Sequence, residues 1–164
     1  MPVQIRTGRL ILTPVTGSDL PDLMALKADP LAFAMMLGGV RAPWQVIDEM
    51  AGEICYWGSH RVGMFAVRED GIFQGVVGVH DRPDGRGHAL RFAVWHEARG
   101  RGVAREAAGA VLRDAHMRGG LKRVIAVVRA DNFGSRMVVG AIGMHESDVF
   151  LRDGNIMLVY ESLE

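Results

Sequence analysis

The chain has 164 residues, 49% hydrophobic and 23% charged, and its 19 basic and 19 acidic side chains cancel to zero net charge. That composition excludes a disordered or low-complexity chain, and a neutral surface offers little pull on nucleic acid or an anionic membrane. A single cysteine, Cys55, excludes an intrachain disulfide and leads us to expect a reducing, cytoplasmic setting.

The first residues, Met1 to Arg6, carry no signal-peptide apolar stretch, and no run approaches transmembrane length. The length suits one domain over 1–164. Arg9 to Pro14 predicts a first strand, stopped by Pro14. Ser18-Asp19 offers a helix N-cap, with Leu20, Leu23, Met24 and Lys27 at helical spacing and Asp29-Pro30 as the break. Leu31 to Met36 is apolar and fits either element; Gly38 to Pro43 reads as a loop. Trp44 to Trp57 carries Val46, Ile47, Met50, Ala51, Ile54 and Trp57 on one helical face. Cys55 lies in this apolar run, which predicts a buried thiol.

Beyond Gly58 the period shortens. Val62 to Arg68 and Ile72 to His80 predict antiparallel strands joined at Glu69-Asp70-Gly71, a hairpin signal. Asp81 to Gly87 is another turn, and Ala89 to Trp95 the next strand. Val103 to Met117 is the clearest helix, with Val103, Ala107, Val111 and Ala115 four apart. Gly119-Gly120 ends it. Lys122 to Arg129 reads as a buried strand, Ser135 to Ile142 as a short helix capped around Asn132, and Ile156 to Leu163 as the last strand. This order predicts an α+β (mixed α/β) domain whose largely antiparallel central sheet is flanked by helices.

The segment Arg99-Gly100-Arg101-Gly102-Val103-Ala104 stands between a strand and the clearest helix. A glycine-rich turn that opens a helix is an anion site: its N–H groups are free and lie at the positive end of the helix dipole. Arg99, Arg101 and Arg105 add charged donors. A P-loop reading fails for want of Gly-Lys-Ser/Thr, and a dinucleotide fingerprint lacks its third glycine at Arg105. A plain glycine turn remains the bland alternative.

Arg99-x-x-Gly102-x-Ala104 resembles the acetyl-coenzyme A loop of the GNAT superfamily of N-acetyltransferases, Gln/Arg-x-x-Gly-x-Gly/Ala. Other segments resemble the RimJ/RimL-like branch that acetylates ribosomal-protein N-termini: Thr7-Gly8-Arg9-Leu10-Ile11-Leu12, Gly75-Val76-Val77-Gly78 and Asn132-Phe133-Gly134-Ser135. Gly143-Met144 stands where that branch has Gly-Phe. The motifs fall in order and at family spacing from Thr7 to the last strand.

The resemblance implies a GNAT-like domain with splayed central strands, acetyl-CoA as cosubstrate, no metal, and a small-molecule or peptide amine as acceptor. It implies that the N–H groups of Gly100, Arg101, Gly102, Val103, Ala104 and Arg105 hold the pyrophosphate. The strand around Phe92 to Val94 would pair with the pantetheine arm, an N–H near Val94 would bind the oxyanion, and Asn132 would hold the arm. Helix capping is the structural alternative for Asn132. A neutral amine must attack the thioester, and an α-amine (pKa about 8) is easier to deprotonate than a lysine amine (about 10).

The family's tyrosine place falls on Val139, so Ser135 is the candidate general acid, with a capping hydroxyl as its alternative. The family's glutamate place falls on Ala89. His80 and His88 are then candidate bases because imidazole titrates near neutrality, and Glu53 is a weaker one. A surface role is the alternative for both histidines; His96, His116 and His145 read as structural or exposed. No spacing suggests a metal site. Trp44, Trp57, Met35 and Met36 are candidate pocket residues, though a Met/Trp stripe also describes a core. Sparse acidic clustering argues against a polycationic substrate. A homodimer is an expectation by analogy, with no nucleic-acid or membrane partner. A non-catalytic acyl-CoA sensor is the rival reading, motivated by the vacant glutamate and tyrosine places.

Overall fold

A computed structural model describes residues 3–164. The elements run β1 (Ile5–Arg6), β2 (Ile11–Pro14), α1 (Leu20–Ala28), α2 (Pro30–Phe33), α3 (Pro43–Ser59), β3 (Met64–Glu69), β4 (Ile72–Asp81), β5 (His88–Val94), α4 (Val103–Met117), β6 (Arg123–Arg129), α5 (Phe133–Ala141), β7 (His145–Arg152) and β8 (Asn155–Leu163). The strands form one eight-stranded sheet in the order β1-β2-β3-β4-β5-β6-β8-β7. Every pair is antiparallel except β5 with β6. The expected mixed fold with a largely antiparallel sheet is therefore present.

Residue alternation sends the strand side chains to two cores. On one face Leu12, Phe65, Val67, Val79, Leu90, Val94, Val124 and Ala126 meet the α4 stripe of Val103, Ala107, Val111 and Ala115. On the other, Met64, Ala66, Val76 and Ala93 meet Leu23 and Leu26 of α1, Phe33 of α2 and Val46 of α3. The stripe read from the sequence of α4 is buried throughout, at 2% exposure or less.

The Gly75-x-x-Gly78 spacing has a packing cause. A Cβ at Gly75 would stand 2.2 Å from the Ala93 carbonyl oxygen, and one at Gly78 would stand 2.4 Å from that of Gly63. Only hydrogen fits where these strands approach so closely.

Three expectations need correction. The sequence reading has no β7. It is an edge strand, exposed along most of its length, so no apolar alternation marks it. A usable signal was present: Asp153 and Gly154 both have positive φ and join β7 to β8 as Asp70-Gly71 join β3 to β4. The short β1 likewise lies ahead of the expected first strand. On α3 only Val46 and Tyr56 are buried, while Ile47 and Ile54 are exposed and so is Cys55. The helix packs on a narrower stripe than its apolar content suggests.

Candidate functional site

The turn that opens α4 is shaped by two glycines. Gly100 and Gly102 have φ of 81° and 77°, the left-handed region that disfavours a side chain. Gly102 is the helix N-cap and brings no capping side chain. Among the described residues no acceptor takes the backbone N–H of Gly100, Arg101, Gly102, Val103, Ala104 or Arg105. The first amide with a partner is that of Glu106, bonded to the Gly102 carbonyl at 3.0 Å. Six successive donors are thus free at the positive end of a fifteen-residue helix.

The arginines around this turn divide unexpectedly. Arg101 pairs with Glu69 at 2.9 Å and donates to Gln74 at 3.1 Å, so it clamps the turn to the β3–β4 hairpin. Arg99 donates to the Leu31 carbonyl beyond the start of α2 at 2.5 Å. Arg101 is thus ion-paired, while Arg99 is bonded to a neutral carbonyl and keeps its charge unpaired. Arg105 has no partner among the described residues, and its Nη2 lies 3.6 Å from where a Gly102 Cβ would be. Arg9 comes closer, at 3.4 Å. It also donates to the Arg101 carbonyl and pairs with Glu106 at 3.0 Å.

Thr7 donates to the same Glu106 carboxylate. Thr7 and Arg9, a family mark in the sequence, anchor the first turn of α4. Burial opposes ionisation of Glu106, but the Thr7 and Arg9 hydrogen bonds and the Arg9 charge prevail and lower its pKa.

Below the turn the sheet opens. β4 and β5 pair at seven successive positions from Gly75↔Val94 to Asp81↔His88. β5 and β6 pair at one position only, Ala89↔Ile125. From there the two strands part. The Ala93 carbonyl faces β4, as its approach to Gly75 shows. Backbone alternation then turns the N–H of Phe92 and Val94 toward the gap. A cavity occupies this gap, walled by Leu90, Arg91 and Phe92 on one side and Ala126 to Arg129 on the other. Val94 itself is buried in the core and lends only its backbone.

His80, Asn132 and Ser135 all line this cavity, together with Met35 and Met36. Four segments bring them there: the end of β4, the β6–α5 turn, the first turn of α5 and the loop after α2. The Asn132 side chain accepts from the Ser135 N–H at 3.2 Å, so it caps α5. The Ser135 hydroxyl has no partner among the described residues.

His80 pairs across the sheet with Ala89, the position that lacks the family's glutamate. Directly opposed residues share a face, so the imidazole stands beside the vacant place. Its Nδ1 is 2.9 Å from the Asp81 carbonyl, an acceptor, so Nδ1 is the donor of this bond, and Nε2 has no partner among the described residues. Its ring stacks on Tyr56, 4.1 Å between centroids, and Tyr56 stacks in turn on His60. Burial and the nearby Asp81 charge raise the Tyr56 phenol above its ordinary pKa.

The other candidates are engaged elsewhere. His88 pairs with Asp81 at 3.1 Å. Glu53 lies 3.4 Å from Lys27, a lysine only 3% exposed that also holds Glu49 at 3.0 Å. His116 bridges the Leu121 carbonyl and Ser162. Trp57 donates to the Met64 carbonyl and meets Phe65 edge-on, while Trp44 is 70% exposed; neither lines the cavity, contrary to expectation. Val139 is fully buried, with no hydroxyl near the gap. Met144 is buried in the core. Among the described residues no group of His, Cys, Asp or Glu is placed to hold a metal ion. None of their helices is long and apolar enough to cross a membrane.

No curated protein matches the chain in sequence. Solved structures match over nearly its full length. An acetyltransferase from Agrobacterium tumefaciens str. C58 is 24% identical, with a TM-score of 0.88 over 100% of this chain and 96% of that one. An acetyltransferase that modifies the N-terminal serine of a 50S ribosomal subunit protein, from Salmonella typhimurium, is 17% identical, with a TM-score of 0.82 over 96% of each chain. The microcin C7 self-immunity acetyltransferase MccE, solved with acetyl-CoA and AMP, is 12% identical, with a TM-score of 0.78 over 96% of this chain and 94% of that one. At such identities the likeness is one of fold. The family itself is shown by sequence: the acetyltransferase (GNAT) domain model matches residues 9–145, which include the donor turn and most of the cavity lining, and the chain belongs to that family.

Proposed function

We propose that this protein transfers an acetyl group from acetyl-CoA to a primary amine, the α-amine of a peptide or of a small molecule, by direct attack on the thioester. The observation that carries the reading is the row of six unpartnered N–H donors at the start of α4, on the connection that follows β5, the strand that parts from β6 after one pair. Those donors fit a pyrophosphate, and Arg9 and Arg105 stand beside them. The gap fits an extended pantetheine arm, whose amides would meet the backbone of Phe92 and Val94 as a further strand does.

In this reading Nε2 of His80 accepts the proton that the amine loses as its nitrogen bonds to the acetyl carbon. The N–H group of Val94 steadies the oxygen that becomes negative. The hydroxyl of Ser135 gives a proton to the departing sulfur when the C–S bond breaks, and regains one from solvent. Asn132 caps α5 with its oxygen and offers its amide N–H to the arm. His80 returns its proton to solvent as Ser135 regains one, so the transfer is neutral overall.

Calorimetry with acetyl-CoA, free coenzyme A and ATP tests the binding half. Micromolar affinity for both coenzymes and not for ATP is expected; no binding by folded protein overturns the reading. Release of free thiol in the presence of an amine panel tests the chemical half. Coenzyme binding without turnover of any amine would instead support a non-catalytic sensor.

A further inference from the structure

Resting on that reading, we infer that the acceptor amine carries a carboxylate, and that Arg91 and Arg152 hold it. Four arginines line the cavity, against one carboxylate, Asp81, which is already paired with His88. Arg82 and Arg129 are neutralised by Asp84 at 2.7 Å and Asp131 at 2.8 Å. Arg91 and Arg152 make no ion pair or hydrogen bond among the described residues. Both are half-buried.

The surroundings of Arg91 make this unusual. It projects from the middle of β5 between the small residues Ala89 and Ala93, and pairs across the sheet with Gly78. The flanking positions on its own strand are thus alanines, and the position directly opposite is a glycine. Glu49 and Glu53 favour its charge from a distance, but they are bonded to Lys27 and Arg41. Burial is the main influence on Arg91 and, with Arg41, lowers its pKa. Lys27, Arg41 and Arg91 are three cations facing two carboxylates, so the cluster is one anion short. A guanidinium kept out of water is expensive unless it is paired, and its planar fork fits a carboxylate.

The coenzyme does not supply that anion. Its phosphates belong at the α4 turn, and the arm that would enter the gap is uncharged. The anion must then come from the other reactant. A free amino acid presents its carboxylate beside the amine, and an acidic peptide presents one from its side chain.

The test compares matched acceptors on the full chain with saturating acetyl-CoA. One arm uses free α-amino acids against their carboxamides. The other uses serine dipeptide amides with aspartate against asparagine in the second position. The carboxylate member of one arm is expected to have kcat/KM higher by roughly 10- to 100-fold, the range of a charge-assisted pair. Arg91→Met should collapse that ratio to near one, and Arg152→Met should reduce it, chiefly through KM. Arg91→Lys should restore part of it.

Calorimetry of coenzyme A on each variant establishes that the donor turn is intact. Equal turnover of acids and their neutral partners overturns the inference and leaves acetyl transfer standing. So does an acid preference that survives Arg91→Met. Turnover of no acceptor overturns it as well, and absence of coenzyme binding alongside would overturn the underlying reading too.

Discussion

The donor turn and the cavity are made from different materials. The donor turn, the proposed coenzyme end, consists of main chain, with consecutive N–H groups, two left-handed glycines and a helix dipole. The cavity, the proposed acceptor end, is lined by side chains from β4, β5, β6, β7 and the loop after α2, with α1 and α3 behind them. A backbone site needs one continuous stretch of sequence and tolerates many side chains. A charge cluster needs several remote positions at once, and the loss of one leaves its partners uncompensated.

The sharpest break of the acceptor end is Lys27→Met. Lys27 is almost fully buried, and its removal strands Glu53 and weakens the hold on Glu49. Breaking a buried ion pair costs about 3 to 5 kcal/mol, so denaturant unfolding should show a loss of about 3 kcal/mol. A loss under about 1 kcal/mol would mean the cluster adds little to the fold.

At the chemical centre, His80→Gln keeps an amide near the Asp81 carbonyl but removes the acceptor nitrogen. It should lower kcat/KM at neutral pH by about 100-fold with coenzyme affinity unchanged. An unchanged kcat/KM would remove His80 as the base.

Gly102→Val breaks the donor-turn end. It forces a branched residue to φ near 77°, which costs about 1 to 2 kcal/mol, and brings its Cβ to 3.4 Å from Arg9. Coenzyme affinity measured by calorimetry should fall at least about tenfold while the melting transition stays cooperative. Ser135→Ala should lower kcat by about tenfold with coenzyme affinity unchanged, since capping of α5 uses the Ser135 N–H and not its hydroxyl. Equal turnover would leave Ser135 with a structural role alone.

Acid should affect both ends mildly. Glu49 is opposed by burial but held below its ordinary pKa by Lys27 and Arg41, as Glu106 is by Thr7 and Arg9. A lowered carboxylate pKa adds stability that is fully present above about 4.3, the unfolded value, and is lost as pH falls through the lower folded values. Glu49→Gln and Glu106→Gln should each reduce the slope of stability against pH in that acid window. An unchanged slope would mean that neither pairing is felt.

Local pattern determined much of this protein. The α4 stripe, the glycines of its opening turn and the Asp70-Gly71 hairpin were legible because each needs only neighbours in sequence. Ser135, Asn132 and His80 were legible one by one, through spacing and resemblance. Their meeting at one cavity was not, because it depends on β5 and β6 parting after a single pair.

Side-chain destinations were the least legible part. Arg99 and Arg101 look like phosphate ligands in a row of glycines, yet their partners Leu31, Glu69 and Gln74 lie 27 to 68 positions away. Arg91 looks like an ordinary polar residue on a strand. Only the packed sheet shows that its neighbours are small and that the nearby carboxylates are bonded elsewhere. Hydrogen bonding along the backbone is a short-range property and is written in consecutive residues. Charge balance in a cavity is a sum over remote residues, and only the folded chain performs that sum.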